Sequence, residues 1–198
     1  MSMKIYLASK SPRRQELLSQ MDIPFELLIV DTPEIFQPGE SPNEYSIRVT
    51  TEKLNAALQK LISEKLPVRP ILCADTEVIL DGKILGKPGD LNEAFNMIKS
   101  YSGRSHEVIT TVAINFLSYQ KTRTHSTIVT FAPIPDENIQ HYLDTCEYKD
   151  KAGGYAIQSY IGQFISRIEG CFFSVMGLPL NTVRELLKDL REQNSDPD

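Results

Sequence analysis

Lys4-Ile5-Tyr6-Leu7-Ala8-Ser9-Lys10-Ser11-Pro12-Arg13-Arg14 decides how this chain is read. Ile5 to Ala8 is a short apolar run that ends in a serine-rich turn, the pattern of a buried strand. Ser11 followed by Pro12 reads as a helix N-cap with proline at the first helical position. The helix then continues from Arg13 through Gln20, with Leu17, Leu18 and Met21 on one side. A strand running straight into a helix N-terminus leaves backbone N–H groups facing the turn, where the helix dipole favours an anion. Two serine hydroxyls and two arginines crowd that spot, and arginine suits bidentate phosphate contact. The physical reading is a phosphate cradle; a generic Ser-Pro-Arg-Arg would be only a capped helix with two solvated arginines.

Working outward, Phe25 to Val30 reads as a second strand, and Asp31-Thr32-Pro33-Glu34 as a turn carrying two carboxylates. Ser41-Pro42-Asn43-Glu44 is a capping box that starts a helix running to about Leu61. Lys53 lies inside it, and periodicity alone makes it a solvated helix lysine. Ile71 to Ala74 reads as an interior strand ending at Asp75-Thr76-Glu77. An aspartate at such an end is informative, because open α/β sheets bind ligands outside their strand ends; a structural aspartate bonding its own turn is the competing reading. Val78 to Leu80 and Lys83 to Leu85 form a hairpin about Asp81-Gly82, closed by Gly86-Lys87-Pro88.

Asp90 caps the next helix, which ends before Gly103. Strands at about His106 to Leu117 and Thr122 to Phe131 follow, joined through Ser118 to Lys121. Strands so close in sequence are antiparallel, so the sheet is mixed. Pro135 to Asp144 is a short helix. In Lys149-Asp150-Lys151-Ala152-Gly153-Gly154-Tyr155-Ala156-Ile157-Gln158 the double glycine permits close backbone approach or positive φ, with Lys151 and Gln158 flanking it; a flexible loop is the alternative. Gln163 to Ile168 and Cys171 to Val175 read as a hairpin about Glu169-Gly170. Gly177-Leu178-Pro179-Leu180 opens the last helix, with residues 191–198 as a polar tail.

The 198 residues, 41% apolar, are enough for one domain, or one long domain with two lobes. A net charge of −5 without a Lys/Arg-dense face gives no support to nucleic-acid binding. Cys73, Cys146 and Cys171 are widely spaced and form neither a disulfide framework nor a zinc site. Cys73 reads as buried filler. The three histidines lack ligand spacing. With no signal peptide and no long apolar run, a reducing cytoplasm and no membrane are expected. Walker, dinucleotide and nucleophile-elbow motifs are absent, so any phosphate site is built another way.

Taken together, Ser9-x-Ser11-x-Arg13-Arg14, Glu52-Lys53, Ala74-Asp75-Thr76, Gly86-Lys87-Pro88, the segment from Asp150 to Gln158 and Gly177-Leu178-Pro179-Leu180 resemble, in order and spacing, the motifs of the Maf family of nucleoside triphosphate pyrophosphatases. The resemblance covers residues 1–190 as a single domain. It implies a mixed α/β fold similar to that of inosine triphosphate pyrophosphatases, a long twisted sheet with flanking helices in two lobes around a cleft. It implies hydrolysis of a nucleoside triphosphate to the monophosphate and pyrophosphate with a divalent cation, Mg²⁺ or Mn²⁺, and a homodimer is a compatible state.

Asp75 corresponds to the family's general base, with Lys53 and Lys87 as catalytic lysines. Ser9, Ser11, Arg13, Arg14, Thr76, Lys151 and Gln158 correspond to substrate contacts, and Glu34 with Asp75 to metal ligands. Two departures stand out: Pro33-Glu34 where the family often carries an acidic pair, and Ser159 where it has glycine. Arg13, Thr76 and Gln158 resemble the dTTP/UTP branch, while the 7-methyl-GTP branch resembles Trp, Gln and Glu there. A tryptophan face suits a cationic methylated purine, and this chain has no tryptophan. A Gln amide matches the acceptor and donor of a uracil or thymine edge. A nucleotide-binding regulator of septation is the non-enzymatic alternative.

Overall fold

Three short elements open the chain: strand β1 (Ile5–Leu7), helix α1 (Pro12–Ser19) and strand β2 (Phe25–Leu27). They belong to a computed structural model that describes residues 3–193. A long helix α2 (Pro42–Ser63) leads to β3 (Ile71–Leu80), β4 (Lys83–Leu85) and α3 (Leu91–Tyr101). Then come β5 (Ser105–Phe116), β6 (Tyr119–Phe131) and α4 (Asp136–Asp144). Two 3₁₀ turns, Ala152–Gly154 and Tyr160–Phe164, precede β7 (Ile165–Glu169), α5 (Phe172–Met176) and α6 (Leu180–Gln193). The tail reading applies to residues 191–198; 191–193 are the end of α6, and the rest lie outside the described residues.

The result is a mixed α/β protein whose seven-stranded sheet has the order β2-β1-β3-β5-β6-β7, with β4 paired to β3. β1 is parallel to both β2 and β3, while β4 is antiparallel to β3 and β7 to β6. Helices α1, α2 and α3 start where a short polar side chain bonds one of their first N–H groups. Ser11 caps α1, Ser41 and Glu44 form the full capping box of α2, and Asp90 accepts from Glu93 N at 2.8 Å to cap α3. The Asp81-Gly82 turn has φ of 51° and 73°, both positive as a two-residue type I′ hairpin requires.

The chain divides into two compact units. The first comprises residues 1–75, 110–124 and 177–198, the second residues 76–109 and 125–176. The first unit's core joins Tyr6, Leu28, Leu54, Ala57, Ile71 and Cys73. The second is built around Ile98, Tyr101, Phe131, Tyr142, Tyr155 and Ile161.

Three sequence expectations are corrected. Asp75 does not end a strand: β3 runs unbroken through Ile71–Leu80, and nine of its ten residues are buried. The polar Asp75-Thr76-Glu77 lies between the part of β3 that pairs with β1, Ile71 and Leu72, and the part that pairs with β4, Val78 to Leu80, while β5 is the neighbour on the other side. A hairpin of residues 163–168 with 171–175 does not form. β7 pairs with β6 instead, and Phe172–Met176 is a helical turn. A five-residue apolar run carries no helix-versus-strand information of its own. Here Cys171 N donates to Thr127 Oγ1 at 3.1 Å and turns the chain away from the sheet. Finally, β5 and β6 are joined by Leu117-Ser118 alone, with Leu117 at φ 53°.

Candidate active site

In the first unit the chain leaves β1 at Leu7, which is level with Leu72 of β3. β3 continues beyond that register to Asp75, so the aspartate lies past the C-terminal end of its parallel neighbour. Strand termination thus comes from β1 and not from β3. The turn after β1 is tied by its own hydroxyls: Ser9 Oγ accepts from Ser11 N at 3.1 Å, and Ser11 Oγ from Arg14 N at 3.5 Å. Ser9 is buried, whereas Arg13 and Arg14 are half-buried.

Arg14 is oriented by three groups. Its Nε donates to Gly177 O at 2.8 Å, one Nη donates to Ser9 Oγ at 3.4 Å, and the other is 3.9 Å from Asp75 Oδ1. Of the Gly177-Leu178-Pro179-Leu180 motif, the glycine carbonyl is therefore what meets this arginine. Sequence reading missed that contact, since a backbone acceptor leaves no residue-type signal.

Lys53 is not the solvated lysine that periodicity suggested. Val49 and Ala57, four residues either side, are buried with 0% exposure, so Lys53 stands on the buried flank of α2. Its ammonium donates to Asp75 Oδ2 at 2.7 Å and lies 2.5 Å from Glu34 Oε1. Burial by itself would lower the lysine's pKa, but the Asp75 and Glu34 carboxylates outweigh it and hold the pKa above the ordinary value of 10.5. The ammonium is charged at neutral pH. The turn's other carboxylate, Asp31, pairs instead with Lys10 at 2.5 Å on the exposed surface. Geometry thus separates the two carboxylates of this turn, of which the resemblance singled out Glu34.

Cys73, two residues before Asp75, is fully buried, and its thiol is pushed up to about 12 by burial. That thiol stays protonated and is no nucleophile at neutral pH.

The remaining residues singled out in the sequence lie in the second unit. Thr76 is half-buried; Lys87 and Gln158 are exposed; Lys151 Nζ donates to Glu147 O. The double-glycine turn is held from beneath by aromatic hydroxyls. Tyr101 OH donates to Gly153 O at 2.9 Å, and Tyr142 OH to Gly154 O at 3.2 Å. His106 Nε2 and Tyr155 OH share a hydrogen bond of 2.7 Å. Gly153 has φ 70°, and a Cβ there would lie 2.8 Å from three Val78 carbons, so both conformation and space require glycine. At the departure from the family pattern, Ser159 sits at φ −87° and turns its hydroxyl back onto Ala156 O at 2.7 Å.

Chemically, the first unit gathers hydroxyls, a guanidinium and an ammonium beside two carboxylates. Such a set can hold a phosphate chain, orient water and bind a hard cation. Among the described residues no group of three or more His, Cys, Asp or Glu could hold a metal ion. Glu34 and Asp75 nonetheless already share one cation, the Lys53 ammonium. Two carboxylate donors fit magnesium, which completes its shell with waters and substrate phosphates. No helix among the described residues is long and apolar enough to cross a membrane.

Comparison with known proteins gives the family. A sequence model described as Maf-like protein matches residues 4–190. A dTTP/UTP pyrophosphatase of Dechloromonas aromatica is 42% identical over 196 residues, 95% of this chain and 98% of that protein. One from Photobacterium profundum is 42% identical over 181 residues, 90% and 92% of the two chains. Among solved structures, the Staphylococcus aureus Ham1 protein aligns over 67% of this chain and 72% of its own, at 12% identity and a TM-score of 0.38. The near-complete family match and the relatives spanning almost the whole length agree with the motifs: this chain belongs to the Maf-like protein family.

Proposed function

We propose that this protein hydrolyses pyrimidine nucleoside triphosphates (dTTP, UTP and modified analogues) to the monophosphate and pyrophosphate. The observation that carries the reading is the Lys53 ammonium bonded to both Asp75 and Glu34, with Arg14 beside Asp75. Its 42% identical relatives named dTTP/UTP pyrophosphatase support the substrate class.

In this reading, water attacks the α-phosphorus and its proton passes to Asp75. The bond from that phosphorus to the bridging oxygen breaks, and pyrophosphate leaves. Attack of this kind is mainly a matter of positioning and charge neutralisation. Ser9, Ser11, Arg13 and Arg14 bind phosphate oxygens at the turn after β1. Lys53 and Lys87 offset developing charge, and Lys151 adds a cation toward the substrate. Thr76 and Gln158 read the base. When bound, a divalent cation held by Glu34 and Asp75 would neutralise the triphosphate. Residues 1–190 act as one catalytic domain.

The test is pyrophosphate release from a nucleotide panel, dTTP, UTP, GTP and 7-methyl-GTP, with Mg²⁺ or Mn²⁺. dTTP and UTP should turn over fastest. Reaction in H₂¹⁸O should place the label on the nucleoside monophosphate. Label in inorganic phosphate alone, or preference for 7-methyl-GTP, would overturn the reading.

A further inference from the structure

Glu34 reaches Lys53 from a segment whose own side chains do little to fix it. Ile35 is 70% exposed and Phe36 50%. Beyond a contact of the Phe36 ring with that of Tyr45, centroids 5.7 Å apart, burial does little to hold this backbone, and hydrogen bonds from α2 anchor it. Tyr45 OH donates to Glu34 O at 3.1 Å, and Arg48 Nη2 to Ile35 O at 2.9 Å. The same guanidinium grips Glu40 through Nε at 2.7 Å and Nη2 at 2.9 Å. Glu40 in turn accepts from Gln37 N at 3.3 Å, and the other Nη of Arg48 meets Glu52 at 3.1 and 3.2 Å. Two consecutive carbonyls, one of them that of Glu34 itself, are thus anchored to adjacent turns of one helix.

We propose that Arg48 is a positioning residue for the reaction: through the Ile35 carbonyl and Glu40 it sets the backbone that delivers the Glu34 carboxylate to Lys53 and the reacting centre. The inference rests on the assignment of Glu34 to that reaction.

The bland alternative is an ordinary ion pair between helix neighbours Arg48 and Glu52, which contributes little to anything. It does not account for the bonds to Ile35 and Glu40, nor for a guanidinium side chain only 23% exposed beside a Glu40 side chain only 10% exposed. It also makes no demand for arginine. The planar fork does, since one ammonium cannot satisfy both Glu40 oxygens and the Ile35 carbonyl in this geometry.

The experiment is a double-mutant cycle with Arg48→Lys and Glu34→Gln, reading kcat and KM for dTTP with Mg²⁺, with thermal melting of each variant alongside. Arg48→Lys should lower kcat about tenfold or more through misplacement of a reacting group. The double variant should be no slower than Glu34→Gln alone, because both changes remove the same contribution. Effects that multiply, or an unchanged kcat in Arg48→Lys, overturn the proposal while leaving the function assignment standing. Wild-type turnover in Glu34→Gln instead removes Glu34 from the reaction and this inference with it, a result read before Arg48 is touched. Should Arg48→Lys not fold, Glu40→Gln removes the charge that Arg48 grips through Nε and Nη2 and enters the same cycle with the same expectations.

Discussion

The two units bury polar groups in opposite ways. Around Asp75 the first unit keeps charges, with a lysine held between two carboxylates and an arginine alongside. Around Gly153 the second keeps neutral groups, the hydroxyls of Tyr101, Tyr142 and Tyr155 and an imidazole. Desolvated charge pairs are a poor way to stabilise a fold, because burial costs about what the attraction returns. Neutral hydroxyl-to-carbonyl bonds set a backbone shape at far lower risk. The contrast suggests that the first cluster exists for chemistry and the second for the conformation of a turn. Substitutions should then separate along that line.

The largest effect should come from the charged cluster, and in turnover. Asp75→Asn is nearly isosteric but cannot take a proton, and loss of a general base typically lowers the rate by ~10²–10⁴-fold. Circular dichroism should show the fold retained. A variant keeping half its turnover at saturating magnesium would break the comparison at its strongest point.

The neutral cluster should show itself in stability instead. Burial lowers the His106 pKa from 6.5 to about 4. Between those values the unfolded chain binds the extra proton, so stability is full above about pH 6.5 and falls as pH drops toward 4. A difference of that size corresponds to roughly 3 kcal/mol. Urea unfolding from pH 7 to pH 4 should show wild type losing about that much more than His106→Gln. Parallel pH curves for the two proteins would mean that His106 does not fold neutral.

Gly153→Ala comes next. It forces an L-residue to φ 70° and brings its Cβ within 2.8 Å of Val78. Strain and overpacking together should cost about 2 kcal/mol. In a chain of this size that lowers Tm by about 4–8 °C. Adding Val78→Ala should relieve the packing part but not the backbone part, which sharpens how the turn is held.

The smallest effect expected is in specificity. Gln158 is exposed, so Gln158→Glu should leave Tm unchanged. A second acceptor facing the pyrimidine O4 should nonetheless reduce kcat/KM for dTTP and UTP by ~10-fold, an unpaired-group penalty of about 1.4 kcal/mol. Equal kcat/KM values for wild type and variant would show that Gln158 does not read the base.

Local chemistry was enough wherever a feature is decided within a few residues. Ser11, Ser41 and Asp90 announced their helices because a side-chain oxygen bonds an N–H only two or three residues ahead. Asp81-Gly82 announced its hairpin, and the glycine pair its positive φ values, by the same local logic. The ordered residue types from Ser9 to Leu180 were enough to point to the family. What sequence could not contain is who stands next to whom. That Asp75 lies beyond the end of its parallel neighbour depends on β1 stopping first, and that Phe172–Met176 turns helical depends on Thr127. That Glu34 and not Asp31 meets Lys53 depends on anchors from Tyr45 and Arg48. Each of these outcomes is set by a partner distant in sequence, from 11 residues between Tyr45 and Glu34 through 44 between Thr127 and Cys171 to 65 between Leu7 and Leu72. Periodicity reports which face of an element is buried, but only the packed structure selects the group that meets it.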